Sequence, residues 1–190
     1  LPKKSPCRRS DFCAQEIAAC VPITFDHRTR KSKERTEFDL EVTITKMLAK
    51  HVSSVVELER QCRLSTRGEG GYARLLSETN SVLLVALSEG LKVVGCFSGW
   101  LLADEFEIDN VAVAADWRKA GVGSKLLSAA IEVACQKGGG RAFLEVRSDN
   151  KIACSLYEKF GFVSVGRRKN YYRDPVDDAL ILSLKIVAPS

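Results

Sequence analysis

The first regular pattern of apolar and polar positions begins at Phe38, where the two kinds of side chain alternate as far as Ile44. Such alternation is typical of a β-strand with one buried face. Apolar positions then recur every three or four residues from Leu48 to Cys62, which predicts an amphipathic helix ending before the glycines at 68–71. A second, short helix is predicted from Tyr72 to Ser77.

Three apolar runs follow in close succession, with short polar segments between them. They cover Val82–Leu87, Val93–Leu102 and Phe106–Ala114. Connections this short join strands that run in opposite directions. We therefore predict an antiparallel meander of three strands.

Beyond this meander the apolar positions return to helical spacing, from Val122 to Ala134, and the glycines at 138–140 are expected to end that helix. A strand is predicted directly after them, from Ala142 to Val146. Asp149 or Asn150 can cap the helix that follows this strand.

The last part of the chain is predicted to be one helix and two strands. Apolar residues from Ile152 to Phe160 mark the helix, and Gly161 stands where a left-handed residue commonly ends one. Strands are predicted at Phe162–Gly166 and Ala179–Ile186. The whole order is strand, helix, three strands, helix, strand, helix and hairpin, which describes an α/β domain with a mixed sheet and helices packed on its faces.

The first 37 residues show no sustained period of apolar positions. They contain the charge-dense run His27–Arg35, and the first ten residues include four basic residues but no acidic one. We expect residues 1–37 to form a basic, flexible arm and residues 38–190 to form one domain.

Composition narrows the classes of partner. The chain has 190 residues, 45% of them hydrophobic, which suits one compact domain with a core. Its net charge of +5 arises from basic residues scattered along the chain, so DNA or RNA binding is not expected. The richest apolar stretch, Val93–Leu102, is broken by two glycines, so association with a membrane is not expected either.

Cysteine and histidine usage argues against a metal site and against nucleophilic hydrolysis. The seven cysteines are an odd number and form no Cys-x-x-Cys pair, and only two histidines are present. We expect a reducing compartment and no metal. No serine or cysteine has a visible histidine and acid partner, which disfavours a hydrolase.

Glycines and cations occur together between the third meander strand and the next helix, in the segment Asp116–Ser124. Glycines let the main chain approach a ligand, and the free N–H groups of a first helical turn bind phosphate oxygens. Arg118 and Lys119 would flank the anion. The alternative is that Gly121 and Gly123 only permit a tight turn. A Walker A loop and a dinucleotide-binding motif both require residues that this segment lacks.

This segment resembles the acetyl-CoA signature of the GNAT superfamily, Arg/Gln-x-x-Gly-x-Gly/Ala, through Arg118, Gly121 and Gly123. The resemblance extends from about Phe38 to Ile186. It implies the acyl-CoA N-acyltransferase fold, a largely antiparallel seven-stranded sheet flanked by about four helices, with acetyl-CoA as co-substrate. Three further segments match in the family's order: Asn110–Val113, Leu144–Asn150 and Leu156–Phe162.

The resemblance also implies how acetyl-CoA is held. Main-chain amides near the end of one strand would hold the acetyl carbonyl if that strand parts from its neighbour, and the glycine-rich turn would hold the phosphates. Asn150 matches an asparagine that touches the pantetheine arm, although an ordinary helix cap is equally consistent with it. The cofactor-binding residues expected on this basis are Val111, Ala112, Val113, Arg118, Lys119, Ala120, Gly121, Val122, Gly123, Ser124, Asn150 and Tyr157.

The same resemblance implies two catalytic residues. Glu145 matches the glutamate that serves as general base in the ribosomal-protein N-terminal acetyltransferases, acting through water; alternatively it is a strand carboxylate paired with Arg147 or another cation. Tyr157 matches the general acid that protonates the coenzyme A thiolate; alternatively it only packs. Glu107 and Asp109 are alternative bases if Glu145 lies too far from the amine.

The second half of the chain looks most like the bacterial ribosomal-protein N-terminal acetyltransferases and their eukaryotic relatives, which share an Asn-Tyr-Tyr in the final hairpin, here Asn170–Tyr172. This resemblance places Tyr171 and Tyr172 on the lip of a peptide groove; alternatively they shield a sheet edge. Glu107 or Asp109 would help bind a cationic N-terminus, unless both are solvated face residues.

An Nα-acetyltransferase for protein or peptide N-termini is therefore expected, with lysine side chains as secondary substrates, because an α-amine of pKa ~8 asks less of a base than a lysine of pKa ~10.4. The alternatives are a small-amine acetyltransferase for polyamines, arylalkylamines or aminoglycosides, and a non-catalytic acyl-CoA sensor. Association with the ribosome, a monomer or weak dimer, and a cytoplasmic location are further expectations. The basic start without methionine would equally suit the plastid stroma after removal of a transit peptide.

Overall fold

The computed structural model describes residues 41–187 of the chain. The arm predicted for residues 1–37 and the first part of the strand predicted from Phe38 lie outside this range, so the domain boundary near residue 38 stays a prediction. Within the range, seven strands form a single sheet, and four α-helices lie on its two faces. This architecture confirms the predicted fold class.

The regular elements of the described range follow the predicted order. They are β1 (Val42–Lys46), α1 (Val52–Gln61), α2 (Gly68–Ser77), β2 (Ser81–Ser88), β3 (Val93–Leu102), β4 (Glu105–Val113), α3 (Val122–Gln136), β5 (Arg141–Arg147), α4 (Lys151–Lys159), β6 (Val163–Arg173) and β7 (Val176–Lys185). Short 3-10 turns at Ala49–His51 and Ala115–Trp117 precede α1 and α3. None of the helices between residues 41 and 187 has the length and apolar character needed to cross a membrane.

The strands lie in the order β1-β2-β3-β4-β5-β7-β6. Neighbours are antiparallel except β4 and β5, which run parallel because α3 carries the chain back from the end of β4 to the start of β5. The predicted meander corresponds to β2, β3 and β4 and is confirmed.

Two apolar layers hold the helices to the sheet. On one face, α3 buries Leu126 and Ala130 in a cluster that also contains Tyr157 of α4. On the other face, Val55 of α1 and Tyr72 of α2 are buried against β2, β3 and β4. Among the described elements α1 and α2 pack on these strands only, which leaves the same face of β5, β7 and β6 without a helix over it.

The start of α2 differs from the prediction. The glycines at 68–71 were expected to separate two helices, with the second starting near Tyr72, and this is wrong because α2 begins at Gly68. Gly68 has a left-handed φ of +65°, and a Cβ at Gly71 would stand 2.9 Å from the Cβ of Arg67. The glycines therefore let the helix start close to Arg67, and the burial of Tyr72 offsets their low helix propensity.

The final hairpin is longer than predicted. β6 extends past the predicted end at Gly166 to Arg173, and β7 begins at Val176, before the predicted start at Ala179. The added residues of β6 are mostly exposed and polar, so they lack the alternation that predicts a strand. Pairing with β7 determines this part of the strand instead.

A buried carboxyl group joins α1, α2 and β4. Glu59 of α1 is fully buried, and its Oε1 accepts hydrogen bonds from the Tyr72 hydroxyl and from Nδ2 of Asn110, the latter at 2.9 Å. Asn110 also donates to the Ser65 carbonyl, 3.1 Å away in the connection between the two helices. Burial, followed by the hydrogen bond to Glu59, raises the pKa of Tyr72, so this tyrosine remains a donor. Glu59 therefore fixes both helices to the second half of β4.

Replacing Tyr72 by phenylalanine would remove one donor from this carboxyl group with little change in shape. We expect Tyr72→Phe to lower the free energy of unfolding by about 1–3 kcal/mol, because the buried oxygen loses a partner that water cannot replace. Urea unfolding followed by circular dichroism measures the change. Tyr171→Phe makes the same substitution at an exposed site and should stay within about 0.5 kcal/mol of wild type. Equal stability of Tyr72→Phe and wild type would contradict the account.

Candidate active site

β4 and β5 are paired over only a short length. The pairs begin at Glu105 with Arg141 and end at Ile108 with Leu144, and both strands then continue without further pairs between them. The parting of the strands leaves a gap beside the second half of β4, which we call the splay. The predicted acetyl site at Val111–Val113 depends on this parting.

The ladder with β3 determines which main-chain groups of β4 face the splay. The Ala114 amide donates to a carbonyl of β3, and successive residues of an antiparallel strand direct their main-chain groups to alternate sides. Val111 and Val113 therefore direct their N–H and C=O groups away from β3, toward the splay. The Val113 carbonyl accepts hydrogen bonds from the Cys62 thiol at 3.6 Å and from Nε of Arg118 at 3.2 Å.

A β-bulge shapes β4 at the point where it loses β5 as a neighbour. The register between β3 and β4 shifts after Ser98, which leaves Asp109 as the extra residue. The Asp109 carboxylate accepts from Nε of Arg67 at 2.8 Å and from the Ser98 hydroxyl at 3.3 Å, and the Arg67 guanidinium also lies over the Trp100 ring. Asp109 is thus engaged by the connection between α1 and α2, and its contact with substrate stays a prediction.

The helix after the splay starts with a left-handed glycine and an uncapped first turn. Gly121 precedes α3 with a φ of +81°, and no side chain caps the helix. The Lys125 amide is bonded back to the Gly121 carbonyl, so the amides of Val122, Gly123 and Ser124 point out of the helix end. Three N–H groups at the positive end of a helix can bind phosphate oxygens.

Arg118, Lys119 and Ala120, which come before Gly121, are exposed. The two cations among them, Arg118 and Lys119, are placed differently. The Arg118 guanidinium points back to β4, where it donates to the Val113 carbonyl and lies 3.7 Å from the Cys62 sulfur. It thereby joins the end of the splay to the start of α3. Lys119, with a φ of +63°, and Ala120 form the turn itself.

Tyr157 lies on the buried side of α4. It is 8% exposed, and its ring packs edge-on against Phe162 with the ring centroids 5.6 Å apart. Burial, followed by the nearby Cys154 and Tyr172, raises the pKa of Tyr157 to about 12. The phenol therefore remains protonated near neutral pH, as a general acid must be.

Glu145 lies on β5, just beyond the last pair with β4. Its side chain is 30% exposed and forms an ion pair with Arg168 of β6, with 2.9 Å between Oε1 and Nε. Arg168, and not Arg147, is thus the cation that pairs with it. Glu145 also lines a shallow cavity of about 230 Å³ together with Glu105 and Glu107.

The two tyrosines at the end of β6 pack edge to face, with ring centroids 5.2 Å apart. Tyr171 is exposed, and a hydrogen bond to Glu145 raises its pKa. The Arg147 guanidinium lies 4.1 Å from the Tyr172 ring centroid and donates to two carbonyls at the tip of the β6–β7 hairpin. Arg147 therefore fastens this hairpin to β5.

Tyr172 is close to both candidate catalytic residues. Burial and then the Glu145 carboxylate raise the pKa of Tyr172, while Arg147 lowers it. Tyr172 is in turn one cause of the raised pKa of Tyr157. Tyr172 thus lies within electrostatic range of both Glu145 and Tyr157, while the catalytic roles of these two residues stay predictions.

Glu107 and Asn150 are placed near the site with local partners. Burial, followed by the charges of Glu105 and Glu145, raises the pKa of Glu107. Oδ1 of Asn150 accepts from the Ala153 amide at 3.1 Å and so caps α4, while its contact with a pantetheine arm stays a prediction. Between residues 41 and 187, no group of three or more His, Cys, Asp or Glu residues is arranged to hold a metal ion.

Residues at the site that were not identified from the sequence include Glu59, Cys62 and Arg168. Arg168 belongs to the polar part of β6 whose length was not predicted. Glu59 and Cys62 lie at the end of α1, and only tertiary packing brings them to β4. One signal was present, because Val55, Glu59 and Cys62 share one face at helical spacing, and a carboxylate among apolar positions indicates a buried polar partner.

Comparison with known proteins identifies the family. Residues 52–162 match the model of the acetyltransferase (GNAT) family. The chain is 36% identical over 115 residues to a Bacillus subtilis (strain 168) protein provisionally named ribosomal protein bS18-alanine N-acetyltransferase, an alignment covering 60% of this chain and 76% of that protein. It is 38% identical over 88 residues to the Escherichia coli (strain K12) ribosomal protein bS18-alanine N-acetyltransferase, covering 45% of this chain and 60% of that protein.

The fold comparison agrees with the sequence comparison. The crystal structure of the ribosomal-protein-S18-alanine N-acetyltransferase from Escherichia coli matches with a TM-score of 0.70 at 26% identity, covering 79% of this chain and 97% of that one. Together with the splay and the uncapped start of α3, these similarities define an acetyl-CoA-dependent N-acetyltransferase. The chain belongs to the acetyltransferase (GNAT) family, and the resemblance predicted from its glycine-rich segment is confirmed.

The two glycines of that segment should respond differently to an added methyl group. A Cβ at Gly121 would meet open space but a strained φ of +81°, whereas a Cβ at Gly123 would stand 3.5 Å from Leu156, an ordinary contact. We expect Gly121→Ala to lower the free energy of unfolding by about 1–2 kcal/mol. Gly123→Ala should raise it by about 0.5–1 kcal/mol, since alanine favours a helix. Scanning calorimetry of both variants measures this, and equal stabilities would contradict the left-handed start of α3.

Proposed function

We propose that this protein transfers the acetyl group of acetyl-CoA to the α-amino group of protein or peptide N-termini. The observation that carries the proposal is the parting of β4 and β5 directly before the uncapped start of α3. The two features offer main-chain donors at separate places. A thioester carbonyl and a diphosphate, which the pantetheine arm of one long cofactor holds apart, need donors arranged in this way.

The chain's own residues would hold the cofactor through main-chain groups. The amides of Val122, Gly123 and Ser124 would bind the diphosphate, and those of Val111 and Val113 would face the acetyl oxygen. The β3 ladder and the bulge hold β4 in place before any ligand arrives. Donors that are already oriented require no reorganisation during the reaction. Such preorganised donors are the main source of electrostatic stabilisation in acyl transfer.

In the proposed reaction the amine nitrogen forms a bond to the acetyl carbon, and the bond from that carbon to the coenzyme A sulfur breaks. Glu145 accepts, through water, the two protons that an ammonium nitrogen loses in turn, one before the attack and one after it, and passes each to solvent. Tyr157 gives a proton to the departing sulfur and regains one from solvent. Because a thiol has a pKa of about 8.5, the proton transfer from Tyr157 helps only moderately. Removal of the first ammonium proton, in contrast, is required for attack.

The substrate is proposed from the relatives and from the surface beside Glu145. Both bacterial relatives are named for alanine acetylation of ribosomal protein bS18, so the N-terminus of that protein is the first candidate. Tyr171 is exposed beside Glu145 and can line the first residues of a peptide. Glu105 and Glu107 in the same cavity favour a cationic N-terminus over a neutral group. Lysine side chains are secondary because their pKa is about two units higher.

A ribosomal substrate would place the enzyme with ribosomes, and we propose the cytoplasm. The relatives from Bacillus subtilis and Escherichia coli are bacterial, which gives the plastid stroma no support. Action as a monomer or weak dimer remains our prediction, and analytical ultracentrifugation tests it directly.

A competition between acceptor classes tests the proposal. We expect a peptide with the bS18 N-terminal sequence to be acetylated with a kcat/KM at least about tenfold above that of polyamines, arylalkylamines and aminoglycosides, because only a peptide contacts the β6–β7 hairpin as well as the base. The same peptide with a blocked N-terminus is the control and separates lysine acetylation from N-terminal acetylation. Turnover of small amines alone would contradict the proposal and favour a small-amine acetyltransferase. Binding of acetyl-CoA without turnover of any acceptor would favour a non-catalytic acyl-CoA sensor.

Two isosteric changes test the catalytic roles. We expect Glu145→Gln and Tyr157→Phe each to lower kcat by about 10²–10⁴-fold, because each removes one proton-transfer group. The acetyl-CoA Kd from titration calorimetry should change by less than about threefold, because the proposed phosphate donors are main-chain groups. Glu132→Gln, on the solvent face of α3, serves as the control. A Glu145→Gln variant with the wild-type rate would reject Glu145 as the base.

A further inference from the structure

The proposed base is paired with a cation that the family signature does not include. Nε of Arg168 lies 2.9 Å from Oε1 of Glu145, and the Arg168 side chain is 57% exposed. The guanidinium also lies 5.5 Å above the centroid of the Tyr171 ring. Arg168 is therefore held between Glu145 and Tyr171, beside the carboxylate that would accept the proton.

The backbone of β6 determines this placement. The pairing of β6 with β7 is irregular between Arg168 and Tyr172, and Asn170 within that stretch has a left-handed φ of +52°. The Asp178 carboxylate accepts from the Asn170 amide at 2.7 Å and pairs with the neighbouring Arg167 at 2.6 Å. Two successive arginines are thus assigned to different carboxylates, Arg167 to Asp178 and Arg168 to Glu145.

The charged residues that line the cavity beside Glu145 are acidic apart from this arginine. Of the residues that line the cavity, Arg168 is the one cation, against three carboxylates. Burial, followed by the negative charges of Glu105 and Glu145, raises the pKa of Glu107. The titratable and charged groups around Glu145 are Glu105 and Glu107 from β4, Arg147 on β5, and Arg168, Tyr171 and Tyr172 from β6.

We infer that Arg168 is a positioning residue of the transfer reaction, which keeps the Glu145 carboxylate ionised beside two further carboxylates and so sets the acid limit of activity. An opposite charge within about 4–6 Å favours the ionised form of a carboxylate, and like charges disfavour it. A protonated Glu145 cannot accept a proton from the amine. The inference rests on the proposed function, because it assigns Glu145 the role of base.

A purely structural role for the pair, joining β6 to β5, predicts something different. Loss of a structural contact between β6 and β5 would lower the rate by a similar factor at every pH, or would lower the free energy of unfolding. Loss of an electrostatic partner would lower the rate at acidic pH and leave it nearly intact at alkaline pH. The pH profile of kcat/KM therefore separates the two roles.

The experiment compares Arg168→Gln, Arg168→Lys, Arg167→Gln and wild type, each as the full chain with saturating acetyl-CoA. We expect the acid limb of the kcat/KM profile of Arg168→Gln to lie about one pH unit higher than that of wild type. At pH values below the limb kcat/KM should be roughly tenfold lower than that of wild type, and at alkaline pH it should recover. Arg168→Lys retains the charge and should restore most of the profile. Arg167→Gln removes the adjacent arginine, paired with Asp178, and should leave the limb unchanged.

Superimposable profiles for Arg168→Gln and wild type would overturn the inference, as would an equal shift in Arg167→Gln. A uniform loss at all pH values would assign the pair a structural role instead. Thermal unfolding of each variant shows whether the fold is intact. The proposed function fails separately, if wild type acetylates no peptide; the same profiles are then measured with whichever amine is accepted.

Discussion

The parting of β4 from β5 is the constraint on which the rest of the site depends. A parallel pair that ends at Ile108 and Leu144 leaves the main-chain groups of Val111 and Val113 without a strand to pair with. Main-chain groups in a folded protein are almost always paired, so a strand that ends its ladder inside a sheet is arranged for another partner. The β3 ladder continues past the bulge at Asp109 and holds β4, while β7 holds β5. Each wall of the splay is therefore a strand paired on its other side.

The polar groups around the splay are divided between its two sides. Toward α1 and α2, the buried Glu59 and the Asp109–Arg67 pair tie the helix connection to β4. Toward β6 and β7, Arg147 fastens the hairpin and Arg168 pairs with Glu145. Glu59 in the first group is fully buried and determines position, whereas Arg168 in the second group is 57% exposed and can exchange partners with a charged substrate.

Local patterns were sufficient to predict most of the fold. The meander and the start of α3 were predicted because apolar periodicity and a glycine-rich turn are encoded within short segments. The start of α2 at Gly68 was missed because the burial of Tyr72, a tertiary feature, offsets glycine's low helix propensity. The polar part of β6 was missed because its strand conformation comes from pairing with β7. For the same reason the ion pair of Arg168 with Glu145 could not be predicted, although Glu145 itself could be proposed from a family motif.

Amide hydrogen exchange with and without coenzyme A is the most direct measurement of the central claim. We expect coenzyme A to protect the amides of Val122, Gly123 and Ser124, and acetyl-CoA to protect Val111 and Val113 in addition. The amide of Ala112, already turned toward β3, should change little. Protection confined to other parts of the sheet, with no change at either group of amides, would contradict the account.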